Sequence, residues 1–222
     1  MNKVISIGNQ GFDKIRENDY FYVDKTGFIK EWWESGDDVT LITRPRRFGK
    51  TLNMDMLKCF FSNQYAGRAD LFEGLSIWKE EKYRELQGQY PVIFVSFASI
   101  KADNYKDARD GIISAVFGAY QEYYSLFQGN GIAESEKLFF RELNTYVNTT
   151  SPDKEITNES IFRALNSLSA CLFRYYGKKA IILLDEYDTP MQEAYIHGYG
   201  EEFTGFMRSL FNATFKTNPY LQ

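Results

Sequence analysis

The chain has few of the residues that build metal clusters or disulfide frameworks. It contains one histidine, His197, and two cysteines, Cys59 and Cys171, which lie far apart in the sequence. A tetrahedral zinc site needs about four ligands, so these three residues cannot supply one. Both cysteines lie in apolar helical stretches. We therefore predict that they are buried free thiols, as is typical of proteins in a reducing compartment.

Long hydrophobic runs and an excess of basic residues are also lacking. No stretch approaches the roughly 18 apolar residues of a membrane-spanning helix, and residues 1–11 have no signal-peptide core. We therefore expect a cytoplasmic protein with no membrane partner. The 26 Lys and Arg residues against 30 Asp and Glu give a net charge of −4. This balance argues against a dominant nucleic-acid surface, which would usually be strongly basic.

Aromatic residues are abundant, with 19 Phe and 16 Tyr in 222 residues. Interleaved aromatic side chains can stack on single-stranded bases. Most of them here recur at helical spacing, as do Phe203, Phe206, Leu210 and Phe211, and this spacing is typical of a buried core. The length is sufficient for one large domain with a sizeable core.

The most informative feature is an apolar strand, predicted over Val39–Thr43, that leads into Gly49-Lys50-Thr51 at the start of a predicted helix. A strand, a tight loop and a helix N-terminus form the layout of a phosphate-binding loop. Backbone N–H groups and the helix dipole make an anion site there. Gly49 lets the backbone approach closely, Lys50 can reach the β and γ phosphates, and the Thr51 hydroxyl can ligate magnesium.

This loop differs from the glycine-rich pattern G-x-x-x-x-G-K-[ST]. Arg44 stands where the pattern has its first glycine, and Pro45 has no N–H group to donate. Arg46 and Arg47 can offset the lost amides by adding positive charge near the phosphates, or they can be solvated surface residues. Further along, Phe48 can shield the phosphates or simply pack. The predicted nucleotide-binding stretch comprises Arg46, Arg47, Phe48, Gly49, Lys50, Thr51 and Leu52.

A second acidic motif follows the apolar run 181–184 and consists of Asp185 and Glu186. Asp185 would lie at the carboxyl end of a buried strand, where we predict that it holds the same magnesium ion as Thr51. Glu186 can polarise the attacking water as a general base, or it can be a solvated carboxylate at a strand end. Its position beside Asp185 favours the catalytic role.

Strands alternate with helices along the chain, which predicts an α/β fold with a mainly parallel sheet and right-handed crossovers. Nucleotide would bind beyond the carboxyl ends of the strands. Residues 1–38 form an N-terminal extension, and residues 98–178 exceed a simple crossover and predict a helical insertion. Further strands are predicted at 20–23, 91–97 and 180–184, and helices at 51–62, 105–127, 134–147, 158–176, 189 onward and 201–216, with another that ends near Gly36 and a short one near Phe12 and Ile15. Thr189 is the expected N-cap of the helix that it begins. The helix at 51–62 is expected to bury Leu52, Met56, Leu57, Phe60 and Phe61.

Several of these segments are similar to those of the predicted AAA-ATPase-like family of bacterial proteins. The resembling segments cover residues 22–26, 44–51, 183–188 and 209–218, and the resemblance extends over essentially all 222 residues. It implies a P-loop NTPase fold that binds ATP and Mg²⁺ through Walker A and Walker B motifs. The arginine-rich loop is then the family's own form of the motif.

The resemblance also implies that further sequence normally follows. Members often carry a nuclease-like domain of the PD-(D/E)XK type, and a sheet strand with a polar sensor residue follows the region equivalent to residues 216–221. We therefore expect that the 222 residues form a single P-loop domain whose C-terminal portion is missing. Nucleic acid would be a partner only through the missing domain, whereas a second copy or a partner protein could bind directly.

The resulting functional hypothesis is magnesium-dependent ATP binding and hydrolysis that drives a conformational change. By analogy with other P-loop ATPases, Tyr22, Asp24 and Lys25 would lie near the nucleotide, although Tyr22 could pack and Lys25 could be solvated. The alternative function is a nucleotide-binding switch or scaffold with little hydrolysis, which would control a nuclease-like domain or a partner protein. A small-molecule kinase is less favoured, because no acceptor-binding motif is evident.

Overall fold

The computed structural model describes residues 3–43, 48–149 and 155–222 and divides into two compact units. One unit spans Met1–Val92 together with Gln222, and the other spans Ile93–Leu221. The described residues form ten α-helices and a small parallel sheet of two strands. The α/β class predicted from the sequence is thus confirmed. No helix in the described parts of the chain is long and apolar enough to cross a membrane.

The first unit is helical. The helices predicted near Phe12 and before Gly36 are confirmed, and the second of them ends at Gly36 in the left-handed conformation, with φ of 67°. The helix predicted after Gly49 is confirmed as well and begins at Lys50. The elements are α1 (Phe12–Glu17), α2 (Gly27–Ser35), α3 (Lys50–Phe61), three 3₁₀ turns (Asn63–Tyr65, Ala69–Leu71, Ser76–Lys79) and α4 (Glu81–Arg84).

Two strands predicted for this unit do not form. The structure assigns no strand to residues 39–43, where Val39 is 64% and Leu41 61% exposed. Residues 20–23 also form no strand, and a single backbone hydrogen bond joins the Phe21 N–H to the Val4 carbonyl. A strand exists only when a neighbouring strand accepts and donates its backbone hydrogen bonds. Apolar residues alone were therefore an insufficient signal at both places.

An aromatic core holds α3 in the first unit. Phe60 is fully buried and meets the rings of Phe61 and Phe72 edge-on, with ring centroids 5.0 Å apart in each case. Phe12 of α1 stacks on Phe72 at 5.1 Å. The predicted buried side of α3 is confirmed for Met56, Leu57, Phe60 and Phe61, whereas Leu52 is only half-buried. These contacts fix the helix whose N-terminus follows Gly49.

One acidic residue on α3, Asp55, is half-buried. Its Oδ2 accepts a hydrogen bond from the Phe12 N–H at 2.6 Å. Burial raises the pKa of Asp55 and outweighs this hydrogen bond, and the nearby carboxylate of Asp13 raises the pKa further. The folded state therefore holds a proton on Asp55 at pH values where the unfolded chain has lost it.

We expect replacement of Asp55 with asparagine to raise the stability of the first unit near neutral pH. Because the folded pKa is raised, wild-type stability falls as pH rises from the unfolded pKa through the folded pKa. Each pKa unit of that shift corresponds to about 1.4 kcal/mol. Asparagine keeps an acceptor for Phe12 and carries no charge, so this pH dependence should disappear. Urea titrations at several pH values measure it, and an unchanged pH profile in Asp55→Asn would contradict the assignment.

The second unit contains the sheet. The helices predicted at 134–147, 158–176 and 201–216 are confirmed to within two residues at each end, whereas the helix predicted at 105–127 is divided at residues 122–123. At the break the buried Tyr123 donates its N–H to the Tyr120 carbonyl in a tighter turn. The elements are β1 (Val92–Ser96), α5 (Tyr105–Gln121), α6 (Tyr124–Gln128), α7 (Glu134–Asn148), α8 (Asn158–Tyr176), β2 (Ile181–Asp185), α9 (Thr189–Ile196) and α10 (Gly200–Phe215).

Strands β1 and β2 lie side by side at the centre of this unit. The Phe97 N–H donates to the Asp185 carbonyl at 3.0 Å, which joins the carboxyl ends of the two strands. At the other end of β2, the Ala180 N–H donates to the Tyr220 carbonyl at 2.8 Å. The predicted core positions of α10 are confirmed, because Phe203, Phe206 and Leu210 are buried and Phe211 packs against the same core. The two cysteines are confirmed as buried free thiols.

Candidate functional site

The turn before α3 depends on the backbone conformation of Gly49. Gly49 is the N-cap of α3 and adopts the left-handed conformation, with φ of 76° and ψ of 28°. Its carbonyl accepts the Asn53 N–H at 3.0 Å, which closes the first helical turn. A residue with a side chain would be strained in this conformation, so glycine is required at this turn. The predicted residues Arg44, Pro45, Arg46 and Arg47 lie outside the described residues.

The first turn of α3 presents positive charge and free backbone donors. Lys50 and Thr51 are half-exposed, and their side chains form no hydrogen bond or ion pair with the described residues. Phe48 is 57% exposed, and the first turn contains no acidic side chain. The first N–H groups of a helix have no intrahelical partner, and the helix dipole adds partial positive charge at this end. This end of α3 can therefore accept an anion.

A second cation lies at the same turn. The Lys25 ammonium is 3.6 Å from the point that a Cβ atom on Gly49 would occupy. Lys25 is exposed, and the next residue, Thr26, is the N-cap of α2. Tyr22, which was also expected near the nucleotide, instead packs against Phe12 with ring centroids 5.4 Å apart. Of the residues of the N-terminal extension that were expected near the nucleotide, the structure thus places Lys25 beside Gly49.

At the carboxyl end of β2, Asp185 is 4% exposed and Glu186 is half-exposed. Glu186 has a φ of 52°, which places a non-glycine residue in the left-handed region. Its Oε2 accepts a hydrogen bond from the Thr189 hydroxyl at 3.1 Å, and its carbonyl accepts the Thr189 N–H at 3.1 Å. Such a conformation costs about 1–3 kcal/mol and is concentrated at functional sites. The hydrogen bond from the Thr189 hydroxyl orients this carboxylate.

The start of α9 corrects one expectation about capping. Thr189 was predicted as the N-cap, but Asp188 occupies that position and Thr189 is the first helical residue. Gln192 donates from its amide to the Asp188 carboxylate at 2.8 Å. The turn at Glu186 shifts the helix start by one residue, because it engages the Thr189 hydroxyl and N–H. Thr189 therefore positions Glu186.

The candidate magnesium ligands fit the ion by donor chemistry. No group of three or more His, Cys, Asp or Glu is placed to hold a metal within the described ranges. Magnesium does not need such a cluster, because it binds one or two carboxylates together with phosphate oxygens and water. The Thr51 hydroxyl and the buried Asp185 carboxylate are both hard oxygen donors. Thr51 belongs to the first unit and Asp185 to the second.

A groove between α9 and α10 was not predicted from the sequence. It has a volume of about 630 Å³ and combines apolar side chains with one basic and one acidic residue. The sequence signal that could have indicated it is the closely spaced Gly198, Gly200 and Gly205, because glycine leaves space between packed helices. Its lining comprises Met191, Tyr195, Gly198, Gly200, Glu201, Thr204, Gly205 and Arg208.

Comparison with known proteins gives a family and one distant relative. A curated relative from Azotobacter chroococcum mcd 1, described as an uncharacterized protein in the vnfD 5′ region, is 29% identical over 190 residues. The match covers 85% of this chain and 30% of that relative, so the chain spans less than a third of the relative's length. No solved structure matches. The family model described as predicted AAA-ATPase matches residues 6–222, and the chain belongs to this family.

Proposed function

We propose that this chain binds ATP with magnesium at the N-terminus of α3 and hydrolyses it. The observation that carries the proposal is the left-handed Gly49 directly before Lys50 and Thr51 at the start of a helix held by a buried aromatic core. Membership in the predicted AAA-ATPase family supports nucleotide as the ligand. In this proposal the nucleotide-binding stretch is Arg46–Leu52, as expected from the sequence.

Each protein group has a defined task in binding. The backbone N–H groups of the first turn of α3 donate to phosphate oxygens, and the Lys50 ammonium neutralises charge on the β and γ phosphates. Thr51 and Asp185 are the proposed oxygen ligands of magnesium. Bound magnesium would supply further neutralisation of the phosphate charge. Because Gly49 has no side chain, the phosphates can approach the backbone closely.

Hydrolysis requires a base for the attacking water, and Glu186 is the proposed base. Its carboxylate can accept a proton from water while the Thr189 hydroxyl keeps one of its oxygens oriented. The left-handed backbone at Glu186 aims the side chain away from the direction that a continuing strand would give it. The water oxygen would bond to the γ-phosphorus as the bond to the β,γ-bridging oxygen breaks and ADP leaves. The proton taken from water would reside on the carboxylate until it is released to solvent.

We expect Lys50→Ala to weaken ATP binding by about 10- to 100-fold. A hydrogen bond to a charged group contributes about 1.5–3 kcal/mol, and each 1.4 kcal/mol is about tenfold in affinity. Thermal melts with and without magnesium ATP measure the loss. Ligand at 100 times its dissociation constant should stabilise the wild type by about 2.7 kcal/mol. Tryptophan fluorescence suits the melts, because Trp32, Trp33 and Trp78 all lie in the first unit.

A matched control is Lys79→Ala, which removes a positive charge from an exposed position in the same unit. This variant should show the full stabilisation by magnesium ATP. If the wild type melts cooperatively and magnesium ATP produces no shift, the proposed binding site is wrong for this chain. If Lys50→Ala and the wild type shift equally, nucleotide binds elsewhere.

A further inference from the structure

The position of Lys25 is set by a turn with little freedom. The Asp24 carboxylate accepts hydrogen bonds from the Thr26 N–H at 2.9 Å, the Thr26 hydroxyl at 2.6 Å and the Ser76 N–H at 2.7 Å. Burial pulls the pKa of Asp24 upward, but the hydrogen bonds from Thr26 and Ser76 outweigh it and leave the pKa lowered. Asp24 is therefore a charged anchor whose oxygens are engaged, and it does not pair with Lys25.

The same turn is tied to α3. The Tyr22 hydroxyl accepts the Lys25 N–H at 3.3 Å and lies 3.3 Å from the Met56 sulfur, to which it donates. Met56 is fully buried on α3. The Thr26 side chain is also fully buried, so the backbone on both sides of Lys25 is held. The Lys25 side chain itself is exposed, and its ammonium lies at Gly49.

The charges at this place oppose one another unless an anion is present. Lys25 and Lys50 both lie at the N-terminus of α3, where the helix dipole contributes about half a positive charge. The first turn of α3 holds no acidic residue, and neither lysine forms an ion pair with a described carboxylate. Cations at a helix N-terminus are destabilising. Violations of such local rules are expected where a ligand supplies the missing charge.

We propose that Lys25 is a second phosphate-binding cation, which contacts the polyphosphate of the nucleotide beside Gly49. This inference rests on the proposed function and deepens it. The ligand class is a polyanion, because the Lys25 ammonium, the residue Lys50 and the helix dipole place positive charge at one turn. Lys25 thus binds phosphate and does not read the nucleotide base.

Lys25→Ala and Lys25→Gln test the proposal, with Lys79→Ala as the control for a lost charge. The probes are magnesium ATP and inorganic tripolyphosphate, titrated by calorimetry. Both Lys25 variants should bind both probes about tenfold more weakly than the wild type. Without ligand, their melting temperatures should equal or slightly exceed that of the wild type, because a cation has left the helix N-terminus. Lys79→Ala should match the wild type with both probes.

The outcomes separate this inference from the proposed function. If Lys50→Ala loses ATP binding and both Lys25 variants bind as the wild type does, the role of Lys25 is refuted and the proposed function stands. If the Lys25 variants lose affinity for ATP and keep it for tripolyphosphate, Lys25 contacts the nucleoside, which also refutes the inference. If the wild type binds neither probe, the proposed function fails and this inference fails with it.

Discussion

Replacing Glu186 with glutamine should lower the rate of ATP hydrolysis by about 100- to 10,000-fold and leave ATP affinity nearly unchanged. This range is the usual contribution of a positioned general base. Glutamine has the same size, and its amide oxygen can still accept the hydrogen bond that Thr189 donates to the carboxylate. It cannot accept a proton from water at neutral pH. The backbone strain at φ of 52° is the same for both residues, so the loop should keep its shape.

The measurement is a single-turnover hydrolysis assay with magnesium ATP in excess of the dissociation constant, run beside a binding titration. Glu202→Gln is the matched control, because Glu202 is an exposed acid in the first turn of α10 in the same unit. It should hydrolyse ATP as the wild type does. Hydrolysis that survives in Glu186→Gln would show that another group is the base.

The same assay decides between the proposed ATPase and the nucleotide-binding switch. A wild type that binds ATP and turns it over so slowly that Glu186→Gln makes no difference would support the switch. A switch needs a conformational equilibrium that nucleotide shifts, and it needs no base. A large difference in hydrolysis rate between the wild type and Glu186→Gln supports the ATPase, because only a chemical step depends on the proton acceptor.

Phe60→Ala should destabilise the first unit by about 3–5 kcal/mol. Deletion of a fully buried phenylalanine removes apolar contacts and leaves a cavity, and this range is typical of such deletions. Phe60 is fully buried and lies edge-on against Phe61 and Phe72, so the cavity would open inside the aromatic core. Its carbonyl also accepts the Gly88 N–H at 2.8 Å, so a shift of α3 would disturb a second segment.

Chemical denaturation followed by tryptophan fluorescence isolates this effect, because all three tryptophans lie in the first unit. Phe21→Ala is the control, since it makes the same change at a side chain that is 52% exposed in that unit. It should cost well under 1 kcal/mol, as surface substitutions usually do. Equal losses in the two variants would contradict the buried position of Phe60.

The stability result also bears on the proposed site, because α3 carries both the core and the phosphate-binding residues. Lys50 is the first residue of α3 and Phe60 lies in its last turn. If Phe60→Ala remains folded and the N-terminus of α3 keeps its position, its affinity for magnesium ATP should equal that of the wild type. A displaced N-terminus should lower that affinity. A binding titration under conditions where both proteins are folded measures that coupling.

The helices were predictable because their signals are local. Apolar residues at a spacing of three and four identified α3, α8 and α10, and Gly36 marked the end of α2. The strand before Asp185 was also readable, since a short apolar run next to an acidic pair occurs within a few residues. The presence of Gly49, Lys50 and Thr51 at a helix start is a local pattern of the same kind.

Strand pairing was less predictable, because it depends on residues far apart in the sequence. The short apolar segment at 39–43 looked like β2, yet the structure pairs β2 with β1 and assigns no strand to residues 39–43. The helix break at Tyr123 depended on burial of its side chain among other elements. A window of ten residues contains no signal for the missing strand at 39–43 or for the helix break at Tyr123.

By itself, the sequence determined the residue types that can bind phosphate and magnesium, the helical segments and the absence of a long apolar run. Only the tertiary structure placed the Lys25 ammonium at Gly49, strained Glu186 into the left-handed region and assigned the Thr189 hydroxyl to that carboxylate. The physical reason is that spacing along the chain sets local hydrogen bonding, whereas the meeting of distant charges depends on how buried side chains such as Met56 and Phe60 pack.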